Sequence, residues 1–102
     1  MFKDENACPV TATMTIIGGK WKPIILWILR DDVRRFGEIK KLTPAITQKM
    51  LTQQLRELEK DKIINRKIYP EVPPKVEYSI TDYGRTLVPI LDAMANWGKK
   101  TQ

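Results

Sequence analysis

The chain has 102 residues and a formal net charge of +6, with 42% hydrophobic residues, one cysteine and no histidine. This length and composition predict one globular domain over residues 1–102. A single cysteine excludes an internal disulfide and a multi-cysteine zinc site, and no apolar run approaches the ~18 residues of a membrane-spanning helix. Residues 1–9 lack the apolar centre of a signal peptide, so we expect a cytoplasmic protein with no membrane partner.

The first half of the chain predicts three helices and one short extended piece. In chain order these are a helix over 10–17, a helix over 20–30, an extended pair at 35–36 and a helix over 36–42. Pro9 suits the first helical position, and the pair Gly18-Gly19 stops the first helix. Asp31-Asp32 ends the second helix.

The second half predicts a helix, a hairpin and a last helix. The elements are a helix over 47–60, strands over 63–69 and 75–80, and one helix from about 82 to about 97. Thr47 and Thr81 carry hydroxyls suited to capping the two helices, and Pro73-Pro74 forms the tip of the hairpin. This order is typical of an α+β, mostly helical, winged helix-turn-helix domain, with the hairpin at about 64–80 as its wing.

The helix over 47–60 has two chemically different faces. At about 100° per residue, Leu51, Leu55 and Leu58 define a buried face. The opposite side, with only Glu57 at its margin, carries Lys49, Gln53, Arg56 and Lys60. Arginine can pair with guanine and glutamine with adenine in the major groove. We therefore predict a recognition helix that contacts double-stranded DNA through Thr47, Gln48, Lys49, Thr52, Gln53 and Arg56. The alternative for this helix alone is a solvated face without a partner.

The predicted hairpin is also cationic, since it carries Arg66, Lys67 and Lys75. A basic wing contacts phosphates or enters the minor groove, and it positions a protein on DNA rather than reading sequence. Taken alone, the same hairpin is equally consistent with a charged edge that only prevents strand pairing with another chain.

Cys8 is the one candidate for covalent chemistry. At a helix start, unpaired backbone N–H groups favour the thiolate, whereas the nearby Asp4 and Glu5 would oppose it. A passive buried cysteine is the alternative. The chain has no histidine and no evident pair of catalytic carboxylates, so we expect neither an enzyme nor a bound metal or cofactor.

Six short segments of the chain form a recognisable set. They are Cys-Pro-Val at 8–10, Ile-Gly-Gly-Lys-Trp at 17–21, Arg-Phe-Gly-Glu-Ile at 35–39, Gln-Lys-Met-Leu-Thr-Gln-Gln-Leu-Arg-Glu-Leu-Glu at 48–59, Pro-Pro-Lys-Val-Glu-Tyr at 73–78 and Thr-Asp-Tyr-Gly at 81–84. In this order they resemble the HxlR-type regulators, a branch of the MarR-like winged-helix proteins. The resemblance covers nearly the whole chain.

The resemblance implies a homodimer that binds an inverted repeat, with residues 48–56 in the major groove and the hairpin near Lys75 on flanking DNA. It also implies dimer contacts from the first and last helices, for which the candidates are Ile16, Leu87, Leu91, Met94 and Trp97. In several family members the cysteine matching Cys8 senses electrophiles or oxidants. We expect a transcriptional repressor; activation and a winged-helix protein-interaction module without DNA binding are the alternatives.

Overall fold

The computed structural model of the protein describes residues 7–102, which form six helices and three strands. In chain order these are α1 (Pro9–Ile17), α2 (Trp21–Leu29), β1 (Arg34–Arg35), α3 (Phe36–Leu42), α4 (Gln48–Lys60), β2 (Ile64–Tyr69), β3 (Lys75–Ile80), α5 (Asp82–Arg85) and α6 (Val88–Lys99). The strands make one antiparallel sheet in the order β1-β3-β2. The architecture is the predicted, mostly helical winged helix-turn-helix. No helix among the described residues is long and apolar enough to cross a membrane.

Local capping signals in the sequence correctly locate the starts of three helices. Thr47 Oγ1 accepts a hydrogen bond from the Met50 N–H at 3.1 Å, and Thr81 Oγ1 accepts one from the Gly84 N–H at 2.8 Å. Pro9 lies in the first turn of α1, where its missing N–H has no helical partner to lose. These caps fix where the chain enters α4 and α5.

The prediction of one continuous last helix is wrong, because the chain forms α5 and α6 with a break between them. Pro89 lies in the first turn of α6 and has no N–H to donate to the carbonyl of Arg85. A helix running through from α5 would lose that hydrogen bond. Leu87 consequently becomes the N-cap residue of α6, so the apolar stripe of Leu87, Ile90, Leu91, Met94 and Trp97 belongs to α6 and its cap.

The core lies between α2, α4 and the sheet. As predicted, α4 buries its three leucines, which are at most 1% exposed: Leu51, Leu55 and Leu58. The inward face of α2 repeats at the i, i+3, i+4, i+7 spacing of an amphipathic helix and consists of Lys22, Ile25, Leu26 and Leu29. A lysine at a core position was not predicted from the sequence.

The C-terminus of α4 ends in a Schellman turn built around a non-glycine residue. The Ile63 N–H donates to the Leu58 carbonyl at 2.9 Å and the Lys62 N–H donates to the Glu59 carbonyl at 3.0 Å. Lys62 adopts a positive φ of 63°, where a side chain is disfavoured and glycine is preferred.

We expect Lys62→Gly to raise the free energy of unfolding by about 0.5–1 kcal/mol, because it removes the strain of a Cβ at this φ. Asp61→Gly is the matched control, since Asp61 has a negative φ of −79° and gains nothing from glycine. Urea denaturation of both variants measures the effect. Equal destabilisation by the two substitutions would contradict the prediction.

Candidate nucleic-acid interface

The outer face of α4 presents a row of polar side chains to solvent. The four residues assigned to this face are all exposed: Lys49, Gln53, Arg56 and Lys60. An open hollow of about 720 Å³ follows the helix and is lined by Gln48, Lys49, Thr52, Gln53, Arg56 and Glu57. The structure thus brings together five of the six residues predicted to contact DNA from this helix, and adds Glu57.

Most of the long hydrogen-bonding side chains on this face form no polar contact with the rest of the described chain. Within residues 7–102, the side chains of Lys49, Gln53 and Arg56 form no hydrogen bond or ion pair. The two threonines are partly used: Thr47 Oγ1 caps the helix, and Thr52 Oγ1 donates to the Gln48 carbonyl at 2.9 Å. A helix face with unpaired cations and an amide is suited to phosphates and base edges.

The one acidic residue in the hollow is paired with a buried lysine. Lys22 Nζ lies 3.2 Å from Glu57 Oε1, and Lys22 is only 7% exposed. Sequence reasoning missed this contact because Lys22 stands in an otherwise apolar stretch. Its spacing from Ile25 and Leu29 is the signal that could have placed it on the inner face of α2.

The hairpin formed by β2 and β3 separates the three predicted wing cations onto two faces. Arg66 is paired in register with Tyr78, a core residue, and therefore lies on the sheet face that packs on the helices. It shares a cleft of about 220 Å³ with residues of α3, α4 and β3: Phe36, Thr52, Arg56, Glu59 and Tyr78. Arg66 thus joins Arg56 of the α4 surface.

Lys67 and Lys75 lie on the opposite face of the hairpin. Their ammonium groups are 4.8 and 4.7 Å from the centre of the Tyr69 ring, and Lys75 Nζ is 3.6 Å from Glu77 Oε2. Hydrogen bonding by the Tyr69 hydroxyl, with smaller effects of Lys75 and Arg35, lowers the pKa of the Glu77 carboxyl. The structure therefore does not bring Lys67 and Lys75 to the α4 surface, and it gives Lys75 an internal counter-charge.

Cys8 is the N-cap residue of α1 and is partly exposed. Among the described residues, its sulfur accepts no regular cap hydrogen bond. Even so, hydrogen bonding from the backbone N–H and then the hydroxyl of Thr11 lowers the pKa of the Cys8 thiol, and this outweighs the desolvation that raises it. The expected opposition by Asp4 and Glu5 concerns residues outside the described range.

A family model described as HxlR-like helix-turn-helix matches residues 16–102. The protein belongs to the HxlR family. Its members are DNA-binding transcription regulators, so the protein is a regulator and not an enzyme. This membership agrees with the resemblance carried by the six sequence segments.

Relatives and solved structures of the family are similar over nearly the whole chain. The helix-turn-helix transcriptional regulator YdeP of Bacillus subtilis is 58% identical, over 95% of this chain and 76% of its own. The redox regulator HypR in its oxidised form is 53% identical with a TM-score of 0.91, covering 93% of this chain and 98% of its own. A MarR-family regulator of Porphyromonas gingivalis W83 is 40% identical with a TM-score of 0.92, covering 100% and 99% of the two chains. These similarities show the winged-helix fold and the regulator class.

Exposed apolar side chains also occur on α6 and on α1 of this HxlR-family chain. The predicted dimer residues differ in exposure: Met94 and Trp97 are 49% and 70% exposed, Ile16 and Leu87 are partly buried, and Leu91 is 3% exposed within the chain's own core. Three further apolar residues, which lie outside that predicted dimer set, are exposed on the same two helices, namely Val10, Met14 and Ile90. In a single chain, the five side chains of Val10, Met14, Ile90, Met94 and Trp97 remain exposed to solvent.

Proposed function

We propose that the protein is a homodimeric repressor that binds an inverted-repeat operator, with α4 as the recognition helix and the β2–β3 hairpin as the wing. The observation that carries this proposal is the row of exposed, unpaired donors on the outer face of α4. Bound in the major groove, the start of the helix would contact base edges through Thr47, Gln48, Lys49, Thr52 and Gln53. Arg56 lies one turn further along the helix and would contact the DNA backbone.

The inverted repeat follows from two-fold symmetry. A dimer presents two copies of α4 related by a rotation axis, so its two half-sites are expected about one DNA turn apart. Repression is the proposed output because a dimer bound across a promoter obstructs RNA polymerase.

Selection of bound fragments from genomic DNA tests this proposal. We expect enriched fragments to share an inverted repeat with half-sites spaced by roughly 10 base pairs. Transcription in vitro from a selected promoter should fall when the protein is added. No enrichment over input DNA at low salt would instead support the alternative of a protein-interaction module, and more transcript would support an activator.

We expect the two faces of the wing to differ in their effect on DNA binding. Arg66→Ala should flatten the slope of log affinity against log salt by about one unit, because an unpaired cation beside Arg56 would contact a phosphate. Lys75→Ala should change the slope less, since Lys75 already has Glu77 as a counter-charge. Both variants should weaken binding to operator and unrelated duplex alike. A salt titration measures the slopes, and the reverse order would move the phosphate contact to the outer face of the wing.

We further propose that Cys8 senses electrophiles or oxidants. Its lowered pKa and partial exposure favour a reactive thiolate, and HypR, a structurally similar protein, is named a redox regulator. The thiolate would add to a quinone carbon to form a C–S bond, and the adduct would take up a proton from water. Alternatively, hypochlorous acid would oxidise the thiolate to a sulfenic acid and release chloride. The chain has a single cysteine, so a sulfenic acid would condense with Cys8 of another subunit or with a small thiol, releasing water.

We expect alkylation of Cys8 to begin at lower pH in the folded protein than in urea, because a lowered pKa leaves more thiolate at a given pH. Thr11→Val should shift the pH profile of alkylation part of the way toward that of the unfolded protein, since it removes the Thr11 hydroxyl and keeps the backbone N–H. Thr13→Val is the matched control, because the Thr13 hydroxyl donates to the Pro9 carbonyl. Rates of iodoacetamide labelling against pH measure the shift, and a profile unchanged by unfolding would contradict it.

The sensing role itself is tested by release from the operator. Quinone or hypochlorite should release the parent protein from operator DNA and leave Cys8→Ser bound. Equal release of both proteins would eliminate Cys8 as the switch.

A further inference from the structure

The ion pair between α2 and α4 is unusual in its burial. Lys22 comes from the core face of α2, where its side chain is 9% exposed, while the Glu57 side chain is 43% exposed. Lysine is almost never buried at this level without a partner. Among the described residues, the Lys22 ammonium has one polar partner, the Glu57 carboxylate at 3.2 Å.

Glu57 occupies the α4 surface where negative charge is least favourable for DNA binding. It lines the same hollow as Gln53 and Arg56. A carboxylate at that place repels phosphates that the neighbouring cations attract. Lys22 approaches the carboxylate from the protein side, so it neutralises Glu57 without occupying the space that DNA would take.

We propose that Lys22 is a positioning residue for DNA binding, which acts through Glu57 by neutralising and orienting the one carboxylate in the α4 hollow. The proposal rests on α4 being the recognition helix. Lys22 does not contact DNA in this scheme, because it is 7% exposed and its ammonium is already directed at Glu57. The pair keeps the outer face of α4 uniformly attractive to the phosphate backbone.

A charge-rescue experiment on the whole protein tests the proposal with two duplexes, the selected operator and an unrelated sequence of equal length. Lys22→Met retains the length and apolar stem of the side chain and exposes an uncompensated carboxylate. We expect it to weaken binding to both duplexes by roughly three- to tenfold at low salt, and by less at high salt where charges are screened. Adding Glu57→Gln to Lys22→Met should return both affinities to within about twofold of the parent.

Two substitutions on α6 are controls for the charge changes made at Lys22 and Glu57. Lys99→Met removes one positive charge and Asp92→Asn one negative charge from exposed positions on α6. We expect each to stay within about twofold of the parent on both duplexes, because screening limits their reach. The urea midpoint of every variant is measured alongside, so a folding defect in Lys22→Met is seen directly. In that case the double variant, which carries the same methionine, decides the question.

The outcomes separate this proposal from the assignment of α4. Parent-like binding by Lys22→Met, or weak binding that Glu57→Gln does not restore, would overturn the role of Lys22. Weakening confined to the operator would also overturn it, since a distorted helix rather than a free charge would then be responsible. If Gln53→Ala and Arg56→Ala lower operator affinity by about 10- to 100-fold in the same assay, α4 remains the recognition helix even when the Lys22 proposal fails.

Discussion

Gln53→Ala and Arg56→Ala are each expected to lower operator affinity by about 10- to 100-fold, which corresponds to the loss of one good contact to a base or a charged contact to the backbone. Both side chains are exposed and form no hydrogen bond or ion pair within residues 7–102. Their removal should therefore leave the urea midpoint and the oligomeric state unchanged. Fluorescence anisotropy with labelled operator at fixed salt measures the affinity.

The two substitutions are expected to differ on unrelated DNA. Gln53→Ala should affect the operator almost alone, because an amide reads base edges. Arg56→Ala should weaken binding to any duplex, because a cation near the backbone contacts phosphate. The comparison would therefore show which α4 side chains recognise the base sequence and which contact only the DNA backbone.

The neighbouring residue Gln54 is the matched control for Gln53. It has the same side chain on the same helix, but it lies on another face and its amide contacts Met50 Sδ at 3.3 Å. Gln54→Ala should bind operator within about twofold of the parent. If Gln53→Ala and Arg56→Ala also bound like the parent, the assignment of α4 as the recognition helix would be wrong.

The division of α4 into two faces could be predicted from the sequence because it depends only on helical periodicity. The positions of Leu51, Leu55 and Leu58 fix the buried side, and the opposite side follows by rotation. The caps at Thr47 and Thr81 are equally local, since each involves a hydroxyl and a backbone N–H three residues away. Such features need no knowledge of the tertiary structure.

Two of the features that sequence reasoning missed depend on contacts between distant segments, and a third was local. Strand alternation separates Arg66 from Lys67, but only the pairing of β2 with β3 shows which of them faces α4. The partner of Lys22 is 35 residues away in sequence. The break before α6 could have been predicted from Pro89. However, apolar residues occur at helical spacing on both sides of this proline, and that spacing favoured one continuous helix. The individual residues of the candidate DNA surface could therefore be predicted on α4, whereas those on the wing could not.

Trp97→Asp is expected to convert the protein to a folded monomer. Trp97 is 70% exposed in a single chain, and covering most of an indole by a partner would contribute about 3–4 kcal/mol per copy. A two-fold interface contains two copies, so the dissociation constant of the dimer should rise at least about 1,000-fold. Sedimentation velocity measures this change. Operator affinity should fall by about 100-fold or more, because the two half-sites would then be bound independently.

Asn96→Asp is the matched control for this substitution. It introduces the same carboxylate at the adjacent exposed position of α6, which lies off the apolar stripe. It should remain dimeric and bind operator like the parent. Helical circular dichroism should be retained in both variants, since an exposed tryptophan adds little to the chain's own core. A Trp97→Asp protein that stayed dimeric would place the subunit contact outside this part of α6, and one that bound operator fully as a monomer would contradict the two-fold model of recognition.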